Sequence, residues 1–159
     1  MTVPLHIVLY QPEIPPNTGN IARLCACTGC ALHLVHPLGF DISDKAVRRA
    51  GLDYWQHLDV HEYSDWHHFS DTFTKSHPHA RWFALTTKAS DTIWQAQFHA
   101  GDALVFGPET RGLPEDIIAS MYAIRIPMRI DAPVRSLNLS SACSIITYEA
   151  LRQVKADIS

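Results

Sequence analysis

The sequence has 159 residues, of which 47% are apolar and 18% are charged, and its formal net charge is −3. This composition excludes a disordered or fibrous chain, and the length is typical of a single compact domain, which we place at residues 1–159. The slightly acidic balance excludes a surface that is basic all over, so binding of nucleic acid would require local basic patches.

The first ten residues predict a buried strand rather than a targeting segment. They lack the basic region and the small-residue cleavage site that flank the apolar part of a signal peptide. No apolar run in the sequence approaches the roughly 20 residues that a membrane-spanning helix needs. We therefore expect a soluble, cytoplasmic protein with no membrane contact.

Apolar runs and a helical pattern alternate at the start of the chain. The runs over residues 5–10 and 31–36 are bounded by Pro or Gly and predict buried strands. Between them apolar positions repeat with helical spacing, Asn17 and Thr18 are candidate N-caps, and Gly29 is a candidate C-terminal stop.

The alternation continues to the end of the chain, where strands that alternate with helices imply right-handed crossovers. Such crossovers give a mainly parallel sheet with helices on both faces, so the predicted fold class is α/β. The pattern predicts helices over residues 43–50 (ended by Gly51), from Ser64 to about 73, over 114–121 and from about 137 to 155, and strands over 57–60, 81–86, 103–106 and 123–126.

The cysteines and histidines do not follow a diagnostic metal-binding spacing. Three of the four cysteines crowd into residues 25–30 of a predicted helix, which favours reduced thiols over a disulfide framework. A zinc site that adds Cys143 and His33 is the less favoured alternative, because it assumes how the chain folds. We interpret the clustered histidines as surface or loop residues and expect no metal; they are His61, His67, His68, His77 and His79.

Two groups of basic residues are candidates for RNA contact. One lies within residues 45–49, and the other consists of Arg125, Arg129 and Arg135. From charge alone, a solvated surface is the better interpretation of both groups. Residues 50–74 contain five carboxylates and neither Lys nor Arg, so that face should avoid phosphate.

The loop over residues 107–112 follows a predicted strand and precedes a predicted helix. Open parallel sheets bind ligands at the carboxyl ends of their strands, and glycines allow backbone to approach a ligand closely. The glycine fingerprints of dinucleotide sites and P-loops are absent from the sequence, which disfavours an enzyme that uses NAD or ATP. A tight turn would explain this loop if it stood alone.

Three segments, in order, closely resemble the three motifs of the SPOUT methyltransferases. They are Pro15-Pro-Asn-Thr-Gly-Asn-Ile-Ala-Arg-Leu-Cys25, Phe106-Gly-Pro-Glu-Thr-Arg-Gly-Leu-Pro114, and Arg125-Ile-Pro-Met128 with the segment 135–150, which begins Arg-Ser-Leu-Asn. Within that superfamily the chain is similar, over nearly its whole length, to the single-domain TrmL type. Proteins of that type methylate the ribose 2′ hydroxyl of the wobble nucleotide in tRNA.

The resemblance implies a C-terminal trefoil knot, S-adenosyl-L-methionine as cofactor and tRNA as substrate. It also implies a homodimer, for which an apolar stripe on the last helix would supply interface. Spacing alone cannot separate that role from an ordinary intramolecular core. The stripe consists of Leu137, Ile145, Tyr148 and Leu151.

The resemblance also implies roles for individual residues. Arg23 matches an arginine assigned to activating the ribose hydroxyl, although a guanidinium keeps its proton and orients the hydroxyl or binds phosphate more easily. Tyr148 matches a tyrosine implicated in activity. The implied cofactor contacts are Leu85, Thr86, Gly107, Glu109, Ile126, Ser136, Leu137 and Asn138. We expect Asn17 and Asn20 to shape the pocket for the RNA. Because Arg presents a fixed donor fork to phosphate, we also predict RNA contacts at Arg111, Arg125, Arg129 and Arg135.

Three alternatives stay open at this point. The chain could be a SPOUT ribose methyltransferase for another tRNA or rRNA position, an RNA-binding assembly factor without catalysis, or a nucleotide-dependent enzyme of ordinary doubly wound topology. The missing fingerprints count against the last alternative, and the intact motif residues count against the assembly factor.

Overall fold

The computed structural model describes residues 2–49 and 52–154, and its strands form one parallel sheet. The strands are β1 (His6–Tyr10), β2 (Ala31–Val35), β3 (Val60–Tyr63), β4 (Trp82–Leu85), β5 (Ala103–Phe106) and β6 (Tyr122–Ile124). Their order across the sheet is β3-β2-β1-β5-β4-β6, and every neighbouring pair is parallel. The predicted α/β fold with a mainly parallel sheet is confirmed.

The helices are α1 (Pro15–Thr28), α2 (Asp44–Arg49), α3 (Trp66–Ser76), α4 (Glu115–Ile118) and α5 (Leu139–Val154). Among the described residues, each helix falls short of the length and apolar character that a bilayer crossing requires. The predicted ends of two helices, at Ala50 with its stop Gly51 and at Lys155, lie outside the described residues.

The sheet carries an apolar core on each face. On one face α1 and α5 pack through Ile21 and Ile146 against strand residues such as Leu104. On the other face α3 and α4 pack through Phe69 and Ile117. Neighbouring residues along β1 and β5 alternate between the two cores, as expected for strands that are buried on both faces.

Helix α1 begins earlier than the candidate caps predicted. Its N-cap is Ile14, whose side chain makes no capping hydrogen bond, and Pro15 occupies the first turn. Proline fixes a helical φ and has no N–H to satisfy, so this helix needs no side-chain cap, and the prediction of Asn17 or Thr18 as the cap is wrong. Gly29, at φ 76°, ends the helix as predicted.

Strand β3 begins only at the last residue of its predicted range, residues 57–60, because pairing with β2 determines its position. A 3-10 turn occupies Trp55–His57, and β3 begins at Val60, which pairs with Leu32 of β2. The next helix, α3, is capped by Asp65, whose carboxylate accepts a hydrogen bond from His68 N at 2.8 Å. Ser64, where the sequence predicts this helix to begin, precedes the cap by one residue.

Local hydrogen bonds also shorten the C-terminal elements. Helix α4 ends at Ile118, and residues 119–121 continue as turns into β6. Helix α5 begins at Leu139 rather than near residue 137, because the Asn138 side chain accepts hydrogen bonds from Ser140 N at 2.9 Å and Ser141 N at 3.3 Å. Asn138 is therefore the N-cap of α5, the last helix of the fold.

Candidate functional site

A cavity of about 500 Å³ lies where β4, β5 and β6 end and α5 begins. This is the edge at which open parallel sheets bind ligands. The structure brings together at this cavity all eight residues predicted to contact a cofactor: Leu85, Thr86, Gly107, Glu109, Ile126, Ser136, Leu137 and Asn138.

Gly107 allows the loop after β5 to fold back tightly. A Cβ at this position would lie 2.3 Å from Leu113 N and 2.4 Å from Gly112 C, distances that no side chain could occupy. Gly112 itself has φ +70°, in the left-handed region that favours glycine. Both glycines are therefore required for the shape of this wall of the cavity.

Glu109 ties the same loop to the start of α1. Its carboxylate accepts hydrogen bonds from Glu13 N at 2.9 Å, Ile14 N at 2.7 Å and Asn17 Nδ2 at 3.2 Å. Asn17 is buried and lines the cavity. Glu109 thus helps to build the cavity wall, and both of its oxygens are already engaged by protein donors.

Four cationic side chains line the rim of the cavity. Arg111, Arg125 and Arg135 were predicted to be there, and Lys88 was not. Lys88 follows the end of β4 by three residues and so lies at the ligand-binding edge of the sheet, but a lone lysine at such a place is not a specific signal in the sequence. Arg129 lies outside the cavity, where its Nε donates to Asp131 at 2.7 Å in an exposed pair.

Asn20 and Arg23, unlike Asn17, do not line the cavity of the single chain. Both are exposed on α1. Arg23 lies six positions after Asn17, which corresponds to about 9 Å along a helix axis. The structure therefore does not bring the predicted catalytic arginine together with the predicted cofactor contacts within one chain.

The predicted apolar stripe divides between surface and core: Leu137 precedes α5, and the exposed stripe on α5 itself is reduced to Ile145 and Tyr148. Leu137, Ile145 and Tyr148 are 39%, 43% and 50% exposed, whereas Leu151 is buried in the core beneath α5. Of the two roles left open for the stripe, the intramolecular core is therefore wrong for Tyr148. An exposed apolar stripe of this kind is typical of a surface that another chain covers.

The buried cysteines and His33 face opposite sides of the sheet, so the zinc site considered above is wrong. Cys25, Cys30 and Cys143 lie in the core beneath α1 and α5, whereas His33 packs against Phe73 on the other face. Burial raises the pKa of Cys143 to about 12, so this thiol is protonated in the metal-free chain. Among residues 2–49 and 52–154, no group of three His, Cys, Asp or Glu side chains could hold a metal ion.

Sequence reasoning missed a buried histidine pair beneath α3. His6 Nδ1 and His33 Nε2 lie 3.0 Å apart, and His33 Nδ1 lies 2.9 Å from the Tyr63 hydroxyl. His77, predicted to be a surface or loop residue, follows the end of α3 in a loop, where it is half-buried and stacks on Phe73. His61, His67, His68 and His79 are exposed, as predicted.

The sequence model of the SpoU rRNA Methylase family matches residues 4–148. This range contains all three loops of the cavity and most of α5. The chain belongs to the SpoU methylase family. The resemblance to the SPOUT methyltransferases that the three motifs indicated is therefore confirmed, while the knotted path and the roles of single residues stay predictions.

Relatives of this SpoU methylase are similar over almost their full length. A protein of Yersinia pestis named tRNA (cytidine(34)-2′-O)-methyltransferase is 53% identical over 155 residues, which cover 94% of each chain. A protein of Escherichia coli strain K12 with the same name is 51% identical over 153 residues, again 94% of each chain. A solved structure from work on the 2-OH methylation of C/U34 on tRNA is 47% identical, has a TM-score of 0.85, and is matched over 94% of this chain and 95% of that one.

Proposed function

We propose that this chain transfers a methyl group from S-adenosyl-L-methionine to the ribose 2′ hydroxyl of nucleotide 34, the wobble position of a tRNA anticodon. Cytidine or a modified uridine would be the target. The observation that carries the proposal is identity of about half of the residues, over 94% of both chains, to relatives named for methylation of cytidine 34.

The cavity fits S-adenosyl-L-methionine in size and in the character of its walls. Its volume of about 500 Å³ is typical of sites for small molecules. Leu85, Ile126 and Leu137 offer apolar contact to a purine, and the backbone of the loop at Gly107 offers neutral hydrogen-bonding groups. The cofactor supplies an electrophilic methyl group, so the protein's task is to position the ribose oxygen in line with it.

Arg23 and Tyr148 would act on the ribose side of the reaction, and this role favours a dimer. Both side chains are exposed, on helices that pack against the same face of the sheet. A homodimer that covers the stripe on α5 would place them between two copies, next to a cavity. We therefore infer that the active form is a homodimer and that Arg23 orients the ribose hydroxyl or the adjacent phosphate.

The cations at the rim would hold the tRNA backbone. Arg111, Arg125 and Arg135 present planar donor forks that match phosphate, and Lys88 adds a point charge. Because the net charge of the chain is −3, this local patch rather than the whole surface would attract RNA. With such a substrate, we infer that the protein acts in the cytoplasm.

Transfer of a labelled methyl group from the cofactor to tRNA tests the proposal. Purified protein should label tRNA, and the product should resist alkaline cleavage at a single ribose. A matched tRNA with a 2′-deoxy nucleotide at position 34 should accept no label.

Two outcomes would overturn parts of the proposal separately. Label on a base, or at another ribose, would contradict nucleotide 34 while leaving an RNA methyltransferase. Binding of tRNA without any transfer would instead favour an assembly factor.

A further inference from the structure

We propose that Glu13 is a positioning residue, which fixes the loop of residues 107–112 against the start of α1. Glu13, Glu109 and Thr110 form what we term the cross-loop clamp. Each of the two glutamates comes from one loop and accepts hydrogen bonds from the other loop. Glu13 does not line the cavity, so any effect on the reaction must pass through residues that do.

One half of the clamp holds the segment before α1. The Glu109 carboxylate receives the N–H groups of Glu13 and Ile14 at 2.9 and 2.7 Å. Helix α1 starts with Pro15 and Pro16, which have no N–H to donate. Glu109 therefore satisfies the last backbone donors before the helix and fixes the backbone of Glu13.

The other half of the clamp runs in the reverse direction. Glu13 Oε1 accepts from Thr110 N at 3.0 Å and from Thr110 Oγ1 at 2.7 Å, and Oε2 lies 3.0 Å from the same hydroxyl. The Thr110 N–H and hydroxyl, together with the Arg111 charge, hold the pKa of the Glu13 carboxyl below its ordinary value. The carboxylate is therefore the form that the clamp uses at neutral pH.

A third segment supports Glu13 from outside the clamp. Gly39 N donates to Pro12 O at 2.9 Å, and a Cβ at Gly39 would lie only 2.8 Å from the carbonyl oxygen of Glu13. The loop after β2 thus packs directly on the Glu13 backbone. Because Glu109 and the loop after β2 both contact the Glu13 backbone, the Glu13 carboxylate can fix the position of Thr110.

The clamp bears on the reaction through Arg111, which follows Thr110. Arg111 Nη2 donates to Gln11 Oε1 at 3.1 Å, and Gln11 has φ +48°, a left-handed conformation that is strained for a residue other than glycine. Residues 11–14 therefore fix the loop of residues 107–112 and, with it, Arg111 at the rim of the cavity. Loss of Glu13 should release Thr110 and Arg111 without removing any group that touches the reactants.

The kinetic part of the test rests on the proposed methyl transfer. We expect Glu13→Ala to lower kcat/KM for tRNA by about tenfold, since the bonds lost are to a charged acceptor. Glu13→Gln keeps an acceptor oxygen and should recover part of that loss. Asp71→Ala, which removes an exposed carboxylate from α3, is the matched control and should equal the wild type.

A double-mutant cycle separates positioning from general destabilisation. Thr110→Val should reduce kcat/KM when Glu13 is present and have no further effect in the Glu13→Ala background, because the two side chains act through one contact. Additive losses, or a Glu13→Ala enzyme with wild-type kinetics, would overturn the proposal.

Hydrogen exchange of the Thr110 amide tests the clamp without any reaction. Exchange should speed up in Glu13→Ala and much less in Glu13→Gln, and equal exchange in wild type and both variants would also overturn the proposal. If the wild-type chain transfers no methyl group to tRNA, the proposed function fails, and this measurement still decides whether the clamp exists.

Discussion

Arg23 is exposed on α1 and lies outside the cavity of its own chain. We predict that Arg23→Ala lowers kcat by about a hundredfold or more, while calorimetry finds the cofactor Kd nearly unchanged. Arg23→Lys keeps the charge but loses the planar fork, so it should recover only part of the rate. A large loss of cofactor affinity in Arg23→Ala would contradict the proposed role on the ribose side.

Arg135 and Arg129 carry the same charge in different settings. Arg135 lines the cavity, whereas Arg129 pairs with Asp131 in an exposed loop. We predict that Arg135→Ala weakens tRNA binding and reduces the slope of log K against log salt by about one, and that Arg129→Ala has a smaller effect. Filter binding across a salt series measures both, and the reverse order would remove Arg135 from the phosphate contacts.

The buried pair of His6 and His33 should make the stability depend on pH. Burial is the largest cause that lowers the pKa of His6 to about 4 and that of His33 to about 2, from 6.5. Below pH 6.5 the unfolded chain therefore binds protons that the folded chain excludes. The stability that the neutral pair contributes is fully present above pH 6.5, and it falls as the pH drops towards 4.

Urea unfolding at a series of pH values tests this expectation. The free energy of unfolding should fall by up to about 1.4 kcal/mol per pH unit for each of the two histidines. His33→Gln should reduce the slope, and His79→Gln, at an exposed histidine, should leave it unchanged. A free energy that stays constant from about pH 7 to 5 would contradict the neutral, buried state of the pair.

At the scale of elements, the loop between β5 and α4 depends on Gly107. A Cβ there would lie 2.3 Å from Leu113 N, so we predict that Gly107→Ala weakens cofactor binding by at least about tenfold and lowers Tm. Gly19→Ala is the matched control, because a Cβ at that position on α1 has no heavy atom within 4 Å and alanine favours a helix. Equal cofactor affinity in the two variants would show that the loop tolerates a side chain.

The order and type of the elements could be predicted from the sequence, but several of their ends could not. Apolar runs and Gly29 define β1, α1 and β2 because those signals are local. The start of α1 depends on Glu109, which is 92 residues away from Asn17 in the chain. No local pattern contains a hydrogen bond of that sequence separation, so the sequence alone favours Asn17 or Thr18 as the cap.

At the scale of the whole molecule, the stripe on α5 should mediate dimerisation. We predict that Ile145→Asp gives a monomer in light scattering and loses methyl transfer, because a charge would enter an apolar interface. Trp94→Asp, which places the same charge at an exposed aromatic residue elsewhere, should stay dimeric. A wild-type protein that is monomeric and active would contradict the inferred dimer.

The cavity was predictable as a set of residues because three ordered motifs resembled one family. Its geometry was not, since the position of Glu109 depends on long-range hydrogen bonds to the start of α1 that spacing does not encode. Lys88 was missed because a single lysine after a strand carries no specific pattern. The knotted path stays a prediction for a related reason, as periodicity identifies elements but not how one loop passes another.

The most direct test of the central claim is to map methylation in tRNA from cells with and without this gene. Mass spectrometry of tRNA fragments should find a 2′-O-methyl group on nucleotide 34 in a subset of tRNAs, absent without the gene and restored by the wild-type gene but not by Arg23→Ala. A 2′-O-methyl group on nucleotide 34 that is equally abundant with and without this gene, or that is absent from both, would contradict the proposed function.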